Sequence, residues 1–483
     1  MRYLRVIARS VFYDEAISLE LKRLLHQAKS EVRNDTKHYL LILFLLPSLF
    51  SCAGAPPSVQ PQVNSLIVAD RADRAIALLE SQKEAYGPNN ELLYLLDKSF
   101  VYHLAQKYSE SIKYFARAHE KFDEFYTKSI HKGLETWIIN DYSALYHGED
   151  FEHVLINVFQ ALNYAVLNNF EDALVEARQV DSKLSVINSQ YAPKQKNVYR
   201  EDAFARLLMG ILYETGQNPQ DDNDAFISYR KAAQIYSRDY FPNYGLPLPQ
   251  VLKENILAAA KFMGTAEFNE YRQKFSDSSF LNLEEKKKKA QVYLIQYNGL
   301  APIKIQFSLP IPLPGGIITK LAFPQYHERF YEIKSSMLTA QDSYHRNVQA
   351  ATELVEDISK IAIKNLDNRK FRVIAKAIAR PIGKYLLEKT GEEAIQRKYG
   401  KTASGGFVIA SSLFNLYSEQ ADLRSWQTLP AEIRLARLIL EPGAYDFSLD
   451  NFDADKILIE GRALGTMELK AGDIKFLLVR TVK

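Results

Sequence analysis

The chain has 483 residues and a mass of 55.3 kDa, with 47% hydrophobic and 25% charged side chains, a balance that excludes a largely disordered chain. Its 61 basic and 58 acidic residues leave a net charge of +3, too even for a nucleic-acid binder. A single cysteine excludes an intramolecular disulfide and a cysteine-based zinc site, and the length predicts about three compact units.

The first 31 residues are polar and charged. Basic Arg33 and Lys37 then precede the apolar run Tyr39 to Phe50. That run is too short to span a bilayer, which takes about 20 residues, but it suits the core of a secretory signal. Small residues Ser51, Ala53 and Gly54 surround Cys52, and Leu49-Phe50-Ser51-Cys52 resembles the bacterial lipobox, with Phe50 bulkier than the usual residue. The resemblance implies cleavage before Cys52, a diacylglyceryl thioether on its sulfur and an acylated new amino terminus, together a stable membrane anchor. Residues 1–51 are then an extension plus signal peptide, with the true start expected near Val32. Ala53 stands where an aspartate holds lipoproteins at the inner membrane, so the resemblance implies an outer-membrane protein facing the periplasm in a two-membraned source, and a protein on the outer leaflet of the cell membrane in a monoderm one. Residues 52–64 carry Pro56, Pro57 and Pro61 and no charge, and are expected to form an extended tether.

Residues 65–282 show helical periodicity that recurs. Tyr102, Tyr108, Ile112, Phe115 and Ala118 match the spacing of a tetratricopeptide repeat. Tyr164, Phe170, Ala173, Leu174 and Ala177 match it again, as do Gly210, Tyr213, Ala225, Tyr229 and Ala232. An earlier unit is expected around Ala75 to Leu79, and a degenerate last one from Val251 to Phe275. The longer intervals predict an added helix at Trp137 to Tyr146 and a polar loop at Gln190 to Asn197. Resemblance to such arrays implies a concave groove for a peptide or extended protein segment. By motif position its candidate residues are Phe100, His103, Leu104, Leu162, Val166, Ile211 and Glu214.

The charged run Glu284 to Lys289 predicts a solvated boundary. A mixed region is expected over 290–425. Its strands are expected at Gln291 to Tyr297 and Lys304 to Leu309, flanking Asn298-Gly299, and at Ile317 to Phe323 after the prolines at 310, 312 and 314. Helix is expected from Gln349 to about Lys389, its second part basic on an outer face, and Gly405 to Tyr417 is apolar but too short to cross a membrane. Residues 426–483 predict a small antiparallel β module. Its strands are expected at Leu435 to Leu440, Ala444 to Leu449, Lys456 to Glu460, Thr466 to Leu469 and Ile474 to Val479.

The expected fold class is therefore mainly α: a tetratricopeptide-like helical array followed by an α+β region that ends in the small β module. Phe170 to Arg178, Ala421 to Trp426 and Leu440 to Gly443 carry a resemblance to bacterial lipoproteins with an N-terminal tetratricopeptide array and a C-terminal mixed region, a class to which no reaction is assigned.

Motifs for chemistry are sparse. Gly400-Lys401-Thr402 lacks the upstream glycine of a phosphate-binding loop, since Ile395 stands there. His147 and His153 flank Gly148-Glu149-Asp150, but their offset does not place both on one helical face. No G-x-S-x-G elbow occurs. No catalytic residue, metal, cofactor or nucleic-acid partner is expected. The expected function is a lipid-anchored extracytoplasmic interaction scaffold or regulator of a cell-envelope assembly, with a protein partner in the groove and the oligomeric state open. The alternative is an envelope enzyme or a carbohydrate- or peptidoglycan-binding protein with its site between the repeats and the C-terminal region.

Overall fold

The computed structural model describes residues 57–131, 145–189, 199–312, 318–369 and 420–483, with isolated positions at 389, 392, 396 and 397. Cys52, Trp137, the loop at 190–197, Pro314 to Gly316, the basic stretch after Arg369, Gly400-Lys401-Thr402 and Gly405 to Tyr417 lie outside the described residues.

The N-terminal half is built of antiparallel helix pairs: α1 (Gln60–Val68) with α2 (Ala72–Ser81), α3 (Glu91–Leu104) with α4 (Tyr108–His131), α5 (Asp150–Val166) with α6 (Phe170–Ser189), and α7 (Ala203–Tyr213) with α8 (Pro219–Ile235). Each turn between partners holds one residue in the left-handed region: Asp70, Gln106, Asn168 and Gln217. At the first three, successive backbone N–H groups bond back to carbonyls three and five residues earlier, closing the first helix before the chain reverses. Side-chain caps fix other starts: Asp202 accepts from the Ala205 N–H, and Asn218 accepts from Gln220 and Asp221 after which Pro219 sets the first turn. Within the pairs, small residues permit close approach. Ala118, Ala173 and Ala225 are buried, and a Cβ on Gly210 would sit 2.3 Å from the Tyr229 ring. A π turn (Tyr236–Tyr240) extends α8 toward α9 (Gln250–Met263) and α10 (Thr265–Lys274), with Gly264 between them in an extended positive-φ conformation.

The C-terminal half contains β1 (Ala290–Asn298), β2 (Ile303–Pro312), β3 (Ile318–His327), β4 (Ser335–Asp342), β5 (Asn347–Ala351), β6 (Glu353–Asp357), β7 (Glu432–Leu440), β8 (Gly443–Phe452), β9 (Leu458–Leu469) and β10 (Ile474–Thr481). They form two four-stranded sheets, ordered β10-β1-β7-β6 and β5-β4-β8-β9, and a separate β2–β3 ribbon. β1 is buried on both faces. Its even residues Val292 and Leu294 meet Leu338, Ala340, Phe447 and Leu449 of the second sheet, while Tyr293, Ile295 and Tyr297 face the helices. The layers are therefore helices, sheet, sheet.

This arrangement overturns the mainly α expectation with a small terminal module. Helix accounts for 52% and strand for 24% of the described residues, and the C-terminal region is built from several sheets. The final strands do not close on themselves. β10 runs parallel to β1, with Tyr297 opposite Arg480, β7 pairs antiparallel with β1, and β8 pairs with β4. The 290–425 and 426–483 segments thus interlock in both sheets, because each supplies strands that leave edges unpaired without the other. Three local expectations also change. The predicted helix from Gln349 begins only at 358, since residues 347–357 form β5 and β6, where sheet pairing overrides weak local preference. The strands expected at Lys456 to Glu460 and Thr466 to Leu469 are one continuous β9, in which Leu464, before positive-φ Gly465, is the extra residue of a bulge. The tether expected over 52–64 is folded from Pro57 onward: Val59, Gln60 and Val63 are fully buried as α1 joins the core.

Candidate functional site

The expected groove is filled by the chain itself. Phe100, Leu162 and Ile211 are buried, Leu104 and Val166 are half-buried against the core, and His103 and Glu214 are buried and bonded to the C-terminal half. An open groove lined by these residues is thereby corrected: side chains from β1 and from residues 420–430 occupy it.

Trp426 is the centre of this filling. Its ring lies 5.9 Å from Phe100, 6.1 Å from Phe115 and 6.0 Å from Phe159, each edge to face. Tyr297 closes the cluster from β1, 5.9 Å from Phe100. The Tyr297 hydroxyl lies 2.8 Å from His103 Nε2, and His103 Nδ1 lies 2.6 Å from Asn163 Oδ1. The Asn163 amide donates to Ser111 Oγ and that hydroxyl to the Ser99 carbonyl, so the network assigns His103 Nδ1–H as donor and Nε2 as acceptor. Burial lowers the His103 imidazole to about 4, which keeps it neutral.

Two buried carboxylates hold this strap, residues 420–430, one by its backbone and one by a side-chain hydroxyl. Glu152 Oε1 accepts from the Trp426 N–H at 2.8 Å, and its other oxygen accepts from the Tyr146 hydroxyl and the Glu149 N–H. Asp97 accepts from the Thr428 hydroxyl at 2.9 Å, from Gln60 Nε2 and from the Tyr86 hydroxyl. Burial raises Glu152 to about 7 and Asp97 to about 6, despite these donors. Gln60 also donates to the Ser425 carbonyl, Asn64 to Gln427 Oε1, and Arg329 to the Gln427 and Ala301 carbonyls.

Glu214 sits at the other end of the interface. Lys286 reaches both its oxygens at 2.6 and 2.8 Å, and Tyr229 and Gln291 also donate to it. Burial acts to raise the Glu214 carboxyl, but the Lys286 ammonium outweighs it and holds it below the ordinary value. Further along, the sheet edge docks on the array through tyrosines. Tyr236 donates to the Val355 carbonyl, Tyr240 to Glu356, and Glu353 accepts from the Gln250 and Val251 N–H groups at the start of α9. These contacts escaped sequence reading, although the spacing of Tyr236, Tyr240 and Tyr244 is a visible signal of one dense helical face.

The interface between array and sheets is thus packed rather than open. A cavity of about 420 Å³ lies elsewhere, beside α4, α5 and α6, lined by Phe122, Asp123, His147, Glu149, His153 and Lys183. It brings His147 and His153 together, but among the described residues no three His, Cys, Asp or Glu side chains converge as metal ligands. Among those residues no helix is long and apolar enough to cross a membrane. No family model matches this chain, and no curated protein matches its sequence.

Proposed function

We propose that the protein is a lipid-anchored, extracytoplasmic interaction scaffold of the cell envelope, held by an acylated Cys52 and facing the periplasm from the outer membrane. Its helical array serves as an internal clamp on the C-terminal half, and its partners bind the outer surfaces of that clamp. The observation that carries this reading is the filled groove: Trp426 and Tyr297 occupy the place where a peptide partner would lie. Partner contacts therefore move outward, to exposed apolar positions such as Val175 on α6 and Ile227 on α8. The anchor is supported by the order of basic residues, apolar core, small residues and lone cysteine at 33–54.

The test places a photo-cross-linking residue at Val175, Ile227 or Leu162 in living cells and follows palmitate on the wild type and Cys52→Ala. The expected result is envelope-protein adducts from Val175 or Ile227, none from buried Leu162, and palmitate lost with Cys52. Adducts from Leu162 alone restore the groove as the binding surface. Palmitate retained by Cys52→Ala, or a body in the cytosol, overturns the anchor.

A further inference from the structure

The β2–β3 ribbon belongs to neither four-stranded sheet, and its two faces differ. Ile305, Phe307 and Leu309 alternate along β2 onto one face and are 43%, 43% and 45% exposed. Half-buried Phe323 lies opposite Phe307 in the register, with ring centroids 5.1 Å apart, and Leu321, opposite Leu309, is buried, so the exposed part of this face is Ile305, Phe307 and Leu309. Gln306 and Ser308 on the other face bond to one another, and Gln306 accepts from the Ala421 N–H of the strap. From Ile305 to Thr319 the sequence runs 15 residues without a charge, bracketed by Lys304 and Lys320. Among the described residues, Ile305, Phe307 and Leu309 thus form an exposed apolar strip of the kind that soluble proteins usually cover.

The position of the ribbon says what covers it. Arg329, just after β3, and Ala301, just before β2, meet at the strap through the Arg329 bonds to the Ala301 and Gln427 carbonyls. The same stretch of strap receives α1, through Gln60 to the Ser425 carbonyl and Asn64 to Gln427. The root of the ribbon and the beginning of α1 therefore share one corner of the molecule. Four residues lie between Cys52 and Pro57, and the five steps from one to the other can span at most about 17 Å. Strands of ten residues make the ribbon about 33 Å long, longer than that leash.

We propose that the apolar face of the β2–β3 ribbon is a second membrane contact, lying in the interfacial region of the phospholipid bilayer that holds the acyl chains of Cys52. The inference rests on the lipid-anchor reading above. Ile305, Phe307 and Leu309 enter the lipid boundary, Lys320 marks the level of the headgroups, Lys304 stays buried in its ion pair with Glu149 at the root of the ribbon, and the two contacts together fix the orientation of the body. A leash alone would leave it free to tumble.

The acylated protein supplies its own test, because modification of Cys52 leaves no free thiol. Full-length mature protein carrying Leu309→Cys or Phe307→Cys is labelled with an environment-sensitive fluorophore. It is reconstituted into phosphatidylethanolamine–phosphatidylglycerol vesicles containing a lipid-borne quencher. Phe262→Cys, on α9 at the end of the array that leads toward the start of β1, is the control. The expected result is several-fold stronger quenching and a blue shift at positions 307 and 309 relative to 262. Equal, weak quenching at all three positions in vesicle-bound protein overturns the ribbon contact, as does emission shifted only by self-association in the absence of lipid. Failure of the anchor reading is distinct: two thiols label per chain, and the protein does not remain with the vesicles.

Discussion

The backbone N–H of Trp426 donates to Glu152 at 2.8 Å across 274 residues of sequence, joining the strap to the middle of the helical array. Thr428 adds a second contact through its side-chain hydroxyl, which donates to Asp97 on the neighbouring helix pair. A segment with an aromatic anchor and backbone bonds is how such an array would hold a peptide; here the segment is part of the same chain.

Trp426 is buried against three phenylalanine rings, so Trp426→Ala is expected to cost about 3–5 kcal/mol. Trp426→Phe should cost clearly less, because it keeps an aromatic ring in the site. Chemical denaturation of both variants checks this. Equal losses would mean that the ring packing does not hold the strap.

Burial raises Glu152 from an ordinary 4.5 to about 7, so the folded state holds a proton that the unfolded state releases between those values. Its contribution to stability is fully present below about pH 4.5 and is lost as pH rises through about 7. Buried His103, lowered to about 4, works in the opposite direction below about pH 6.5. The informative quantity is therefore a difference. Between pH 5 and pH 8 the wild type should lose more stability than Glu152→Gln, which retains an acceptor for the Trp426 N–H. Thermal unfolding at the two pH values measures it, and identical losses would remove Glu152 as a titrating group.

Lys286→Met leaves the Glu214 carboxylate buried without its ammonium partner and should cost about 3–5 kcal/mol. The double variant Glu214→Leu, Lys286→Met should recover much of that loss, because it removes both charges from the interface. A double-mutant cycle in urea gives the coupling. Additive losses would mean that the pair is not coupled.

Arg480 faces the array from β10, and among the described residues none of its guanidinium nitrogens has a hydrogen-bond partner. Burial, with Arg329 nearby, lowers its pKa to about 9. Arg480→Met keeps the length of the side chain and removes the buried charge, so it is expected to raise Tm. A fall in Tm of several degrees would show that the guanidinium is compensated.

Much of the local structure was legible. The helix pairs around Phe115, Ala173 and Tyr229 follow from apolar spacing, and β1 and β10 follow from alternating runs bounded by Gly and Asn. Residues 347–357 were not, because Asn347 to Asp357 has no strong preference and becomes strand only by pairing with β4 and β7. The tether misread Pro57 and Pro61, which look like linker residues, although Val59 and Val63 between and after them fill the core.

What the sequence by itself determined is therefore local: where helices pair, where strands run, and the charge-free stretch from Ile305 to Thr319. Those features depend on side-chain periodicity and turn chemistry within a few residues. Only the tertiary structure decided that the groove is occupied. The contacts that fill it join His103 to Tyr297, Glu152 to Trp426 and Glu214 to Lys286, across 194, 274 and 72 residues. No local pattern specifies such pairs. An apolar helical face looks the same in sequence whether a partner or the chain's own strand covers it, because burial is a property of the assembled surface.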